Sequence, residues 1–355
     1  VATGYSSWVR EWAGSSIAKI RADRMETRWL EFPFPANWGI RLRFLDESAQ
    51  PSGSIKHRYV RALFLHALAS GWLTPDTPVV MATSGNAAAA GAYFANLIGV
   101  EFTTVLPAKT GADKVALIEH FGGRCRFAEP PSAIYAEARR LADQLGGWYL
   151  DHFVHVDRGD WHGANDLATE LVNPCDPPRW VVLGAGTGAS SASVGRYLRY
   201  RGLPGQLAVV DPEHSAYFPG WVMDTDAYAT GMPSRIEGIG RPRIEPGFLR
   251  GAVDLVIPVP DAASIAAMRT FRERTGHLVG ASTGTNLWGA CQLAATMLLE
   301  GTGGTIHSVV ADGGERYRHT CYDEGWVAER GLELAPRLMV LDHFLRTGTW
   351  PRSDA

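Results

Sequence analysis

The sequence has no cluster of lysine and arginine, no C-x-x-C pair, and no unbroken apolar run near the ~18 residues of a membrane-spanning helix. Each absence removes a class of function. With a formal net charge of −3 and no basic block, the chain offers nucleic acid no electrostatic footprint. No membrane span is expected, and the opening "VATGYSSWVREWAGSS" lacks the basic-then-apolar layout of a secretory signal. The four cysteines, Cys125, Cys175, Cys291 and Cys321, lie far apart, which suits free thiols in a reducing cytoplasm better than a disulfide framework. Neither an internal repeat nor a low-complexity linker breaks the chain.

What is abundant is glycine, 39 residues, which suggests many tight backbone approaches of the kind ligand loops require. At 355 residues the chain exceeds the roughly 250–300 at which one core stops growing, so two lobes are expected. Apolar β-type runs ("TPVVMAT", "FTTVLP", "CRFAE", "RWVVLGAG", "QLAVVDP") alternate with helical patterns such as "GNAAAAGAYFANLIG" and "SASVGRYLRYRG". That alternation predicts an α/β fold of mostly parallel sheets flanked by helices. In such sheets ligands gather at the carboxyl ends of strands, which singles out the loops at 51–58, 83–87, 184–190 and 280–286. The Pro/Gly-rich stretch from Pro233 to Gly251 reads as a long ordered loop or a lid. Trp8, Trp12, Trp29 and Trp38 read as core or dimer-interface residues, since no basic groove accompanies them.

Taken singly, the four loops are ambiguous. "PSGSIKHR" offers Ser52 and Ser54 as N-caps, yet puts Lys56, His57 and Arg58 in a first helical turn, where the helix dipole disfavours cations. Either the helix tolerates a modest penalty, or Lys56 is not an ordinary ammonium. "GAGTGAS" follows a buried-type strand and opens a helix, a setting for a phosphate. Gly184-x-Gly186-x-x-Ala189 also fits a dinucleotide fingerprint, with Asp211 ending the next strand as a ribose ligand, so a dinucleotide-dependent oxidoreductase stays open. "TSGNAAAAG" suits a carboxylate at a helix N-terminus, or is a capping turn before a closely packed helix; "GASTGTNLWGA" reads the same two ways. His152, His155 and His162 lie close in sequence but lack a zincin pattern, so no metal is expected. Glu315 and Arg316 read as site residues or as an ion pair bracing the sheet.

Together, however, the loops resemble the fold type II pyridoxal-phosphate enzymes, the cysteine synthase and cystathionine β-synthase family. "PSGSIKHR" is similar to its P-x-G-S-x-K-D-R lysine loop, "TSGNA" to T-S-G-N-T, "GTGAS" to G-T-G-G-T, "GASTGT" to G-x-S-S-G-x, and "ADGGERY" to P-D-x-G-E-R-Y. Five motifs in order over about residues 30–320 are far more specific than any one of them. "SRIEGIGRPRIEPGFL", "PDAASIAAMR" and "STGTNLWGA" are most similar to an L-cysteine desulfhydrase branch.

The resemblance implies two lobes, each a mostly parallel twisted sheet flanked by helices. A smaller mobile substrate-carboxylate domain is expected over 40–160, a larger phosphate-binding domain over 1–39 and 161–345, and a tail over 346–355. It implies pyridoxal 5′-phosphate as cofactor, joined as an internal aldimine to Lys56, which would take the substrate's α-proton once released. It further implies that Gly186, Thr187, Gly188, Ala189 and Ser190 hold the phosphate, that Asn86 meets the phenolic oxygen, and that Ser282 faces the pyridine nitrogen. Thr83, Ser84, Gly85, Asn86 and Ala87 would receive the carboxylate of a small amino-acid substrate. A serine cannot keep that nitrogen protonated as an aspartate would, which favours β-elimination and β-replacement over transamination. The implied activity is β-elimination from a β-substituted L-alanine, L-cysteine first, through an aminoacrylate; cysteine-synthase-type β-replacement is the alternative. The implied state is a cytoplasmic homodimer. A catalytically silent binding homologue is a further reading, against which Lys56, Asn86 and Ser282 all stand intact. The sequence departs from the family pattern at His57 (family Asp), Ala87 (family Thr) and Ala189 (family Gly).

Overall fold

The computed structural model describes residues 6–23, 28–158 and 166–351. Its strands are β1 (Trp29–Phe32), β2 (Ile40–Asp46), β3 (Val79–Ala82), β4 (Phe102–Pro107), β5 (Arg124–Ala128), β6 (Trp148–Tyr149), β7 (Trp180–Gly184), β8 (Gln206–Pro212), β9 (Leu255–Val259) and β10 (Gly304–Val310). The helices are α1 (Ser7–Ala22), α2 (Lys56–Ala69), α3 (Asn86–Ile98), α4 (Ala112–His120), α5 (Ile134–Leu145), α6 (Leu167–Leu171), α7 (Ala189–Arg201), α8 (Tyr217–Val222), α9 (Asp261–Thr275), α10 (Ala281–Leu299), α11 (Glu324–Glu329) and α12 (Ala335–Thr347). They divide between two compact units, one of residues Val1–Glu26 and Gln50–Gly159, the other of Thr27–Ala49 and Asp160–Ala355.

The first unit is built on a four-stranded parallel sheet in the order β5-β4-β3-β6. Val80, Ala82 and Val105 of this sheet pack against Ile134, Ala138, Leu141 and Ala142, the apolar stripe of α5 at helical spacing. The alanine run of α3 is a close-packing device: Ala87 to Ala90 are buried, and a Cβ on Gly91 would lie 2.6 Å from the Phe102 ring and 2.7 Å from the Met81 sulfur.

The second unit carries a six-stranded sheet in the order β1-β2-β10-β7-β8-β9, parallel except where β1 pairs antiparallel with β2. α10 is buried along most of its length and packs on α9 with almost no room between backbones. A Cβ on Gly284 would stand 2.0 Å from the Ser264 carbonyl oxygen. Trp38 joins Phe34 and Phe344 in an aromatic cluster of this core, whereas Trp8 of the first unit is exposed.

The observed division corrects the expected boundaries at three points. Residues 1–26 go with the first unit, where the Arg61 guanidinium of α2 donates to the Ile20 carbonyl of α1 at 3.2 Å and the Ile20 side chain is buried. Residues 40–49 go with the second, because β2 is paired on both sides, by β1 and by β10. The expected tail from 346 begins too early: α12 runs to Thr347, and Trp350 packs edge-on against Trp288 at 5.0 Å.

Candidate active site

The expected site residues fall into two sets. Lys56 and the 83–87 loop belong to the first unit; Gly186–Ser190 and Ser282 belong to the second. The chain holds only four lysines, Lys19, Lys56, Lys109 and Lys114, all in the first unit, and Lys56 is the one at the start of α2, in the expected lysine loop.

Gly53, at φ +78°, makes the turn of the lysine loop, a backbone conformation that side chains resist. The helix then starts at Lys56 with no acidic residue in its first turn. Neither serine caps it in full. Ile55 occupies the cap position, the Ser54 hydroxyl accepts weakly from the Lys56 N–H at 3.4 Å, and the Ser54 carbonyl accepts from His57 N–H at 3.0 Å. Ser52 is instead engaged by the His57 ring, with Nδ1 and Oγ 3.1 Å apart. Lys56 is half-buried; His57 is buried at 2 % exposure.

The second loop of this unit leaves β3 at Ala82 and enters α3 at Asn86, with Gly85 as an N-cap that offers no side chain. Thr83 is held from below by the Thr104 hydroxyl, which donates to its carbonyl at 2.7 Å. Thr83, Ser84, Gly85 and Asn86 are each partly exposed, and Ala87 is buried. A helix N-terminus without a capping carboxylate is suited to an incoming one.

In the second unit, β7 ends at Gly184 and α7 begins at Ala189, with Gly188 at φ +84° as its N-cap and no acidic residue in the first turn. Thr187 accepts from the Ala189 N–H at 3.2 Å, and the Ser191 hydroxyl donates to the Gly188 carbonyl at 3.1 Å. The first-turn N–H groups of a 13-residue helix, with small uncharged residues around them, fit a phosphate in charge and size. The glycines themselves answer to the protein behind the loop. A Cβ on Gly186 would meet the Gly238 carbonyl at 2.2 Å, one on Gly188 the Gly247 carbonyl at 2.3 Å, and one on Gly184 the Ile239 side chain at 2.7 Å. Gly240 N–H donates to the Ala185 carbonyl at 2.8 Å, and the Tyr217 hydroxyl donates to the Gly186 carbonyl. The 233–251 stretch is therefore an ordered buttress for the phosphate loop. Its own shape is braced by buried Glu245, which accepts from Arg241 at 3.0 Å and Arg243 at 3.3 Å.

At the start of α10, most of the polar residues are structural. Thr283 accepts from Ala311 N–H at 3.2 Å, Thr285 bonds the Ser264 hydroxyl at 2.8 Å, and Asn286 donates to the Val309 carbonyl at 3.2 Å. Among the described residues, Ser282 alone of these four spends its hydroxyl on no such bond. Gly280, just before it, has no room for a side chain, since a Cβ would stand 2.0 Å from the Asp312 carboxylate that Tyr317 holds by a 2.8 Å hydrogen bond. Glu315 and Arg316 do not pair with each other: Arg318 takes Glu315, and Arg316 lies 3.2 Å from Glu237.

Asp211, the ribose ligand of the dinucleotide alternative, is 1 % exposed and accepts from the Phe218 N–H at 2.7 Å at the start of α8. It caps a helix and does not present itself to a ligand. Burial pushes its carboxyl up to about 6, against the lowering effect of its bonds from Ser215 and Phe218. The unfolded chain then releases this proton near pH 4 and the folded one near 6, so stability falls as pH rises through that window and stays lower above it. Asp211→Asn, which mimics the protonated acid, is expected to remove this loss. Urea midpoints should show the variant gaining about 2–3 kcal/mol on the parent between pH 4 and pH 8.

Of the histidines near 152, His152 is buried against Phe153 and His155 lies beside Trp72; His162 lies outside the described residues. Among the described residues no group of three or more histidine, cysteine or acidic side chains is disposed to hold a metal ion, and no helix is long and apolar enough to cross a membrane.

A family model described as "Pyridoxal-phosphate dependent enzyme" matches residues 25–312. L-cysteine desulfhydrase Cds1 of Mycobacterium tuberculosis is 46% identical over 356 residues, which covers 96% of this chain and 96% of that protein. N-(2-amino-2-carboxyethyl)-L-glutamate synthase of Ralstonia nicotianae is 30% identical, covering 79% of this chain and 82% of that protein. The crystal structure of O-ureido-L-serine synthase superposes with a TM-score of 0.74 at 22% identity, over 87% of this chain and 98% of that one.

Proposed function

Since the chain belongs to the pyridoxal-phosphate dependent enzyme family, and to its fold type II branch, we propose that it eliminates sulfide from L-cysteine to give pyruvate and ammonia. The observation that carries this reading is the 46% identity to an L-cysteine desulfhydrase across 96% of both chains.

When bound, the cofactor supplies an electron sink for the negative charge left at the substrate's Cα. The rest falls to the chain's own residues. Lys56 would be the residue that holds the cofactor covalently and, as a neutral amine, would take the proton from Cα. Gly186, Thr187, Gly188, Ala189 and Ser190 would hold the phosphate through backbone N–H groups at the start of α7, and Asn86 would meet the phenolic oxygen. Thr83, Ser84, Gly85 and Asn86 receive the substrate carboxylate at the start of α3. Ala87, buried where the family pattern has a threonine, has no hydroxyl to add to that grip, which leaves the carboxylate to its neighbours. Ser282 offers the pyridine nitrogen a hydroxyl that cannot keep it charged. On this reading the first unit grips substrate and the second holds the cofactor phosphate, in a homodimer of the reducing cytoplasm, in keeping with the four free cysteines.

The test is incubation of the holoenzyme with L-cysteine, with pyruvate and sulfide measured together. Equal amounts of both are expected. A second reading, β-replacement, is favoured by the similarity to a synthase that joins an aminocarboxyethyl group to glutamate. It predicts sulfide release that depends on an added thiol or amine, a new β-substituted alanine, and no pyruvate. Absence of pyruvate with and without such a nucleophile would sink the elimination reading.

A further inference from the structure

His57 stands where the family pattern has an aspartate, and the structure shows what it holds. Its ring is buried in the first unit with a polar partner on each nitrogen: Ser52 Oγ lies 3.1 Å from Nδ1 and Asp23 Oδ2 lies 3.3 Å from Nε2. Asp23 follows the last residue of α1 and accepts from the Tyr93 hydroxyl of α3 at 2.9 Å. Tyr93 meets the imidazole edge-on and Phe94 packs against it at a tilt, with ring centroids 5.2 Å and 4.6 Å away. Asp23 stands just before the chain leaves this unit after Glu26, and Ser52 just after it returns at Gln50. One side chain therefore ties the departing chain, the lysine loop and the first turn of α2 together.

We propose that His57 is a positioning residue for Lys56, acting through the Asp23–His57–Ser52 chain to hold the lysine loop in its working conformation. The proposal rests on the reading of Lys56 as the cofactor-linked base. An aspartate at 57 could not do this work beside Asp23, because its side chain is too short to span from Ser52 to Asp23, and it adds a second carboxylate near the first with no proton to give. An imidazole can donate from Nε2 to Asp23 while Nδ1 accepts from Ser52, or donate from both nitrogens when protonated; the chain of bonds survives either way. The groups that face the ring are Asp23 at the end of α1, Ser52 in the loop, and Tyr93 and Phe94 on α3, with the Arg61 guanidinium also close enough to act on Asp23. Burial would raise the Asp23 carboxyl, but the bonds from His57 and Tyr93 outweigh it and hold the group below the ordinary carboxylate range. Tyr93, pushed up to about 12 mainly by burial, keeps its proton. The arrangement thus has no titration of Asp23 or Tyr93 in the working range.

The test compares His57→Gln, His57→Asp and the double variant Asp23→Asn/His57→Asp with the parent holoenzyme. Three readouts are taken: melting of each protein, yield of cofactor fixed to Lys56 by borohydride, and the pH profile of kcat and KM for L-cysteine. His57→Gln is expected to lose at least tenfold in kcat with KM within threefold, and to fix less cofactor at Lys56, while its melting transition remains cooperative. His57→Asp should fall further at pH 8 and regain activity toward pH 6, as the carboxylate pair takes up a proton. The double variant should recover severalfold over His57→Asp at pH 8, because the buried site then holds one carboxylate charge in place of two. The inference is overturned if His57→Gln keeps parental kcat and labelling yield. It is equally overturned if the double variant gives no recovery, or if His57→Asp keeps the parental pH profile. Should His57→Gln fail to fold, the contrast between the single and double aspartate variants decides. Failure of the underlying reading looks different: the parent itself would carry no label on Lys56.

Discussion

Lys56→Ala is expected to lower the rate of pyruvate formation by about 10³-fold or more, in the upper part of the range that a positioned general base contributes. Lys56→Arg is expected to fail nearly as badly, and that second variant gives the result its meaning. If Lys56 mattered only as a cation at the start of α2, arginine would replace it. The helix dipole disfavours a cation there, and the first turn of α2 holds Lys56, His57 and Arg58 and no acid to offset it. A group able to work as a neutral amine loses that conflict and gains basicity of the useful kind. Guanidinium cannot be deprotonated under these conditions and cannot condense with an aldehyde. The assay is single-wavelength pyruvate detection, with circular dichroism to establish that both variants remain folded.

Gly188→Ala is expected to weaken cofactor binding by on the order of 100-fold, close to 3 kcal/mol. Two costs add. The residue sits at φ +84°, where a side chain is strained by about 1–2 kcal/mol. Its Cβ would also stand 2.3 Å from the carbonyl carbon and oxygen of Gly247, and backbone cannot swing aside as a flexible side chain can. The collision must be relieved by moving either the phosphate loop or its buttress, and both define where the first-turn N–H groups point. Gly202→Ala, at the other end of α7, separates the two costs. Gly202 has φ +61° with nothing within 4 Å of a built Cβ, so that variant should lose a little stability and bind the cofactor as the parent does. Titration of the cofactor-free proteins with pyridoxal 5′-phosphate measures the difference.

The parts of this molecule that announce themselves in the sequence are local. Strand-to-helix corners at Thr83, Gly184 and Gly280 show in the switch from an apolar run to small and hydroxyl residues, and the mostly parallel order of the two sheets follows from the alternation they punctuate. The less eventful reading of 280–286 also holds for three residues of four, since Thr283, Thr285 and Asn286 fasten α10 to its neighbours and leave Ser282 over. What does not show is contact between residues distant in the chain. Nothing about Asp23 marks it as the partner of His57, and nothing local says that α1 belongs with α2. The Pro233–Gly251 stretch is visible as a loop, but its role behind Gly184, Gly186 and Gly188 exists only when Gly238, Ile239 and Gly247 are folded against them. Asp211 misleads for the same reason. Its position at the end of β8 fits a ribose ligand, and only the fold reveals that its carboxylate is buried under α8.

The account stands on a covalent link between one lysine and the cofactor, and with four lysines in the chain the link can be located without ambiguity. Holoenzyme reduced with borohydride, digested and mapped by mass spectrometry should carry the phosphopyridoxyl group on the peptide containing Lys56, in molar proportion to bound cofactor. Label on Lys19, Lys109 or Lys114 in its place, or a reduced protein with no label at all, would contradict it.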